Sequence, residues 1–127
     1  MMDQPSMREL VEAVRDFLET KAMPELKGHT AFHARVAANA LAIVARELER
    51  GATSDSAELD RLKKLLNRDG SLEELNREVC DQIRSGKLDI VSATLKRHLE
   101  LTTLDKVSID QPNYSGLKIA QSRQEKA

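Results

Sequence analysis

His29 and His33 stand four residues apart, the separation that places two imidazoles on one helical face for a metal ion. The glutamate of the His-Glu-x-x-His pattern is absent, no third ligand lies nearby, and His29 falls before the expected start of its helix. The pair therefore reads as one capping or surface histidine and one partly packed one, with no metal site. Phe32, Val36, Asn39 and Ile43 are spaced four, three and four, so Asn39 lies on an apolar stripe. A buried amide must find partners, because leaving it unpaired costs about 2 kcal/mol or more. An interhelical bond that fixes register is expected there; the alternative is a polar group facing a pocket or a partner. Arg35 and Arg46 share a side of the same helix, three turns apart. Such arginines suit a phosphate or carboxylate, though more often they are solvated or paired to acids on a neighbouring helix. The segment Asp110-Gln-Pro112-Asn-Tyr114-Ser-Gly-Leu117 holds the only tyrosine and is too apolar for a free tail. It either folds back over the helices or docks on another protein.

Nucleophilic catalysis finds no support. Cys80 lacks an adjacent histidine in sequence and reads as a packed or half-exposed thiol. The glycines are helix stops or turns, so there is no glycine-rich phosphate loop. Glu73 and Glu74 belong to a helix start, where they complement the dipole. Lys63-Lys64 and Lys96-Arg97-His98 are short charge clusters of the kind solvated faces carry. Composition narrows the field further. Lys plus Arg number 20 against 21 for Asp plus Glu, a balance unlike that of phosphate-backbone binders. Aromatic residues make up 2%, too few to stack bases or sugars, so no nucleic-acid partner is expected. The single cysteine removes any intramolecular disulfide. No cofactor is implied.

Five helical segments can position these residues. The first opens on a Ser6/Glu9 capping box, carries Met7, Leu10, Val11, Val14, Phe17 and Leu18 on a face expected to be buried, and ends near Pro24. The second, about Thr30 to Arg50, is rich in alanine and stops at Gly51; it reads as the central helix. The third follows the caps at Thr53 to Ser56 and carries Leu59, Leu62, Leu65 and Leu66. A turn at Asp69-Gly70 leads to a second capping box, Ser71/Glu74, and a helix with Leu72, Leu75, Val79 and Ile83 inward, ending at Gly86. The fifth begins near Asp89 with Val91, Leu95, Leu99, Thr102 and Val107 on its face. The fold class is all-α, a compact bundle over residues 1–117 with a polar, flexible tail over 118–127. At 127 residues one domain is expected. The N-terminal stretch from Met1 to Arg8 is polar and no apolar run approaches a signal peptide or a membrane span, which suggests a cytoplasmic chain.

The segment Ala31-Phe32-His33-Ala34-Arg35-Val36-Ala37-Ala38-Asn39 through Leu48 resembles a bacterial family of small helical proteins of unknown function. Leu65 to Gly70 and Ile109-Asp110-x-Pro112-x-Tyr114-Ser115-Gly116 carry the same resemblance, which reaches from the first helix to that turn. Members look like companions of a kinase of the aminoglycoside-phosphotransferase fold, encoded with it and with an acyl-CoA dehydrogenase. The resemblance implies an accessory, non-catalytic subunit of a kinase that phosphorylates a hydroxyacyl-CoA. It carries no catalytic residues across. The matched positions His33, Arg35, Asn39, Arg46, Asp110, Pro112 and Tyr114 are candidates for contact. Phosphoryl transfer needs a phosphate cradle, magnesium ligands and a base, none of which is visible here, so they would reside in the partner. Two rivals remain: an enzyme or ligand binder in its own right whose His33, Arg35 and Asn39 line a pocket on the central helix, and a self-associating module that forms a homodimer through a spare face.

Overall fold

A computed structural model describes residues 3–127; the first two residues of the polar N-terminal stretch lie outside them. The described chain is all-α, with helices α1 (Met7–Phe17), α2 (Gly28–Leu66), α3 (Leu72–Arg84), α4 (Ala93–Asp110) and α5 (Ser115–Glu125), and no strand. It divides into two units, one up to Ala52 and one from Thr53 on, with α2 contributing to both.

In the first unit α1 starts on the expected capping box: the Ser6 amide donates to Glu9 Oε2 at 2.7 Å, and the Glu9 amide donates to Ser6 Oγ at 3.3 Å. A π-helical turn at Leu18–Ala22 follows, then a 3₁₀ turn at Met23–Glu25 containing Pro24. Proline lacks the donor that the helix would use next, so the chain turns here and re-enters a helix at Gly28. Arg8 pairs with Glu49 across 3.1 Å, which makes α1 and the first part of α2 an antiparallel hairpin. The buried line of α2 in this unit is Ala34, Ala38, Ala42 and Ala45, small side chains that let a neighbouring helix come close.

The stop expected at Gly51 is absent, because α2 continues to Leu66. Glycine ends a helix by turning left-handed, and that turn comes later, at Asn67 with φ 50°. Inside a helix Gly51 costs only about 1 kcal/mol against alanine, less than the hydrogen bonds gained by running on. The second and third expected helices are therefore one.

The second unit has its core at Leu62, Leu75, Val79 and Leu95, with Leu59, Leu65, Leu66, Leu72, Ile83 and Leu88 packed around it. Helix α3 begins with the Ser71/Glu74 box, in which the Ser71 amide donates to Glu74 Oε2 at 2.9 Å. It ends at left-handed Gly86, φ 79°, where the Leu88 amide reaches the Gln82 carbonyl at 3.0 Å. Where a tail was expected from residue 118, the backbone is helical: α5 packs on α4, and the Gln124 amide donates to Glu100 at 3.2 Å. In the first turn of α5 the exposed Tyr114 ring lies over Gly116: a Cβ there would stand 2.6 Å from its Cε1, so a larger residue would push that ring aside.

Candidate functional site

The face of α1 expected to be buried is largely open. Met7, Leu10, Val14 and Phe17 are all exposed, and α1 holds no fully buried residue. Val11 and Leu18 are half-buried and mark the side turned inward. Spaced three, four and three, the four exposed residues form one stripe about a quarter-turn from that side. Counted the same way from its alanine line, α2 places Val44 and Leu48, both exposed, on the matching side of the antiparallel hairpin. Six large apolar side chains thus share one solvent-facing surface.

The second stripe behaves alike. Phe32 is 59% exposed, Val36 and Asn39 are exposed as well, and only Ile43 is half-buried. The expectation of Asn39 as a buried register-fixing amide is therefore corrected. Burial falls on the alanine line instead, because small side chains permit the close approach that Phe32 and Val36 would prevent. In this setting Asn39 is a polar group within an open apolar stripe.

The other candidates are placed as follows. His29 lies inside the first turn of α2, and both it and His33 are exposed; the His33 ring meets Phe32 edge to face at 5.6 Å between centroids. Arg35 is exposed and two positions from His33, so the two point to nearly opposite sides of the helix and do not converge. Arg46 is half-buried. In the second unit Asp110 closes α4, Pro112 is half-buried in the turn, and Tyr114 is exposed with its ring lying over Gly116. Cys80 is exposed, one residue past buried Val79.

Sequence reasoning missed a polar cluster inside the second unit. Along α4, Leu95, His98, Thr102, Asp105 and Ile109 repeat every three or four residues, and Leu95, His98 and Ile109 are buried. Leu99 and Val91, expected on the inner face, are exposed instead. The signal was present: three polar residues at core spacing between two apolar ones. Arg61 on α2 donates to Thr102 Oγ1 at 3.2 Å and lies 3.8 Å from Asp105. Glu58 is buried and accepts from Asn76 Nδ2 at 2.8 Å. His98 is only 4% exposed, and its Nδ1 has no hydrogen-bond partner among the described residues; the same holds for Arg61 Nε.

Burial holds the His98 imidazole below its ordinary range, helped by Arg61 and Lys106 and opposed by Glu58. The unfolded chain therefore binds more protons below about pH 6.5 than the folded one does. The stability due to a neutral His98 is complete above that pH and is lost as pH falls. Urea midpoints measured from pH 7 to 5 are expected to drop, and His98→Gln to flatten that drop. Glu9 and Glu74 are held low by the backbone amides of Ser6 and Ser71, so their losses begin only below the ordinary carboxyl value of 4.5, outside this window. An unchanged slope in the variant would exclude His98 as its source.

Among the described residues no three His, Cys, Asp or Glu side chains are grouped to hold a metal, and no helix is long and apolar enough to cross a membrane. Residues 24–114 match a family described as a domain of unknown function (DUF6285), which leaves α1 and α5 outside the matched region. No curated protein and no solved structure matches the chain.

Proposed function

The chain belongs to the DUF6285 family, and we propose that it is a non-catalytic accessory subunit that docks on a larger protein through its α1–α2 hairpin. The observation that carries this reading is the open apolar surface of Met7, Leu10, Val14, Phe17, Val44 and Leu48. Surfaces of this kind mark protein interaction sites, because covering them releases about 25 cal/mol for each Å² of apolar area. The occupant we propose, on the resemblance carried by residues 31–48, 65–70 and 109–116, is a kinase of the phosphotransferase fold acting on a hydroxyacyl-CoA. An acyl-CoA dehydrogenase of the same catabolic route is a second proposed contact, and the cytoplasm the proposed place of action. His33, Arg35, Asn39, Arg46, Asp110, Pro112 and Tyr114 are the polar and turn residues proposed to contact partners.

The homodimer is a second reading favoured by the same surface, since two hairpins placed face to face would make a four-helix layer. A tagged full-length chain expressed in its host separates the two. The proposal expects a phosphotransferase-fold kinase to be retained on the tag at near-equal amounts. Recovery of the chain alone, with a dimer mass by light scattering, would transfer the surface to self-association.

A further inference from the structure

A cavity of about 390 Å³ opens between the last turns of α2 and the first turns of α4, entirely within the second unit. Its wall brings together Arg61, Lys64, Thr94, Arg97 and His98, with Leu65 and Ala93 as the apolar part. Three features point to one kind of ligand. First, the lining holds three permanent cations and no acidic residue; Asp105 is the nearest acid to Arg61, at 3.8 Å. Neither Lys64 nor Arg97 makes an ion pair with a described residue, so their charge is available to a ligand. Second, Arg61 and His98 in this wall each keep a buried nitrogen, Arg61 Nε and His98 Nδ1, without a hydrogen-bond partner among the described residues. Buried polar groups are nearly always paired, so the polar equipment of this wall exceeds what the fold itself uses. Third, Ala93 and Thr94 open α4 just after its cap Ser92, so the first turn of that helix, its positive end, forms part of the wall. The volume suits a small molecule, and the wall combines polar side chains with carbon surface from Leu65, Ala93 and the stems of the cations, as small-molecule sites do.

We propose that this cavity binds the phosphate group of a small organic phosphate, with Arg97, Lys64 and Arg61 supplying the cationic grip on its oxygens. Arginine offers a planar fork matched to phosphate, and lysine a mobile point charge. Leu65 and Ala93 receive the apolar body of the ligand. Arg61 is kept in place by Thr102 and Asp105, so its fork is set before the ligand arrives. The site uses none of the residues of the exposed hairpin stripe and stands or falls independently of the docking role.

The test is an NMR titration of the full-length chain with phenyl phosphate, and in parallel with inorganic phosphate, benzoate and phenol. The expected result is saturable shifts confined to the amides of Arg61, Lys64, Thr94, Arg97 and His98, with an affinity of about millimolar or better for phenyl phosphate. Inorganic phosphate should bind the same residues more weakly and phenol not at all. Arg97→Gln combined with Lys64→Gln should weaken phenyl phosphate at least about tenfold, while Lys118→Gln on α5 leaves it unchanged. Arg97 and Lys64 are both exposed, so the fold should survive the double change, which the dispersion of the same spectra reports. Benzoate binding as tightly as phenyl phosphate would overturn the assignment to phosphate. Shifts spread over the surface, or unaltered in the double variant, would overturn the site.

Discussion

Leu75→Ala is expected to destabilise the second unit by about 3 kcal/mol, since burying a leucine fully and then deleting it leaves a cavity that neighbours only partly fill. Leu75 has 0% exposure and stands in one cluster with Leu62, Val79 and Leu95. It is also the residue over which the turn closes: a Cβ on Gly70 would lie 2.9 Å from its Cδ2. The site therefore has little freedom to collapse. Urea denaturation should show a lower midpoint with an unchanged slope, while Leu99→Ala, on the exposed side of α4, should change stability by no more than about 0.5 kcal/mol. A loss for Leu75→Ala below about 1 kcal/mol would mean that α2, α3 and α4 do not share this core.

The second large effect is on binding and leaves folding alone. Val14→Asp with Phe17→Asp places two charges in the middle of the α1 stripe. Phe17 is 57% exposed and Val14 52%, so neither change removes a packed contact on which the hairpin depends. Helix content and the unfolding midpoint should stay near those of the parent chain. Binding to a partner that covers the stripe should weaken about 100-fold or more, because central apolar anchors each contribute about 2 kcal/mol or more to such interfaces. An affinity unaltered by the double change, with the fold intact, would move the docking surface elsewhere on the chain.

Much of the fold is legible in the residues. Ser6 with Glu9 and Ser71 with Glu74 announce their helices because the capping box is a local exchange of two hydrogen bonds, independent of what packs later. Leu62, Leu75, Val79 and Leu95 follow the helical period and are buried as that period requires. Less legible is which apolar face of α1 and α2 meets the protein and which meets solvent. Periodicity identifies an apolar stripe but carries no label for its cover, so Phe17 and Phe32 look like core residues in the sequence and stand exposed in the structure. Gly51 misleads for a related reason: a glycine permits a helix stop without compelling one, and Asn67 supplies the left-handed turn instead. His98 was hidden within Lys96-Arg97-His98, where two exposed cations disguise a third residue that points inward. Only its spacing from Leu95 and Ile109 betrays it. The α5 helix has few apolar residues, Leu117 and Ile119 among them, and its order rests on packing against α4.

The most direct test of the accessory role is the turnover of the purified phosphotransferase-fold kinase from the same host on a hydroxyacyl-CoA, with and without the full-length chain. The account predicts that the kinase binds the chain, that turnover rises when it is added, and that the Val14→Asp, Phe17→Asp double variant fails to raise it. A kinase that is fully active alone and does not bind the chain would contradict it.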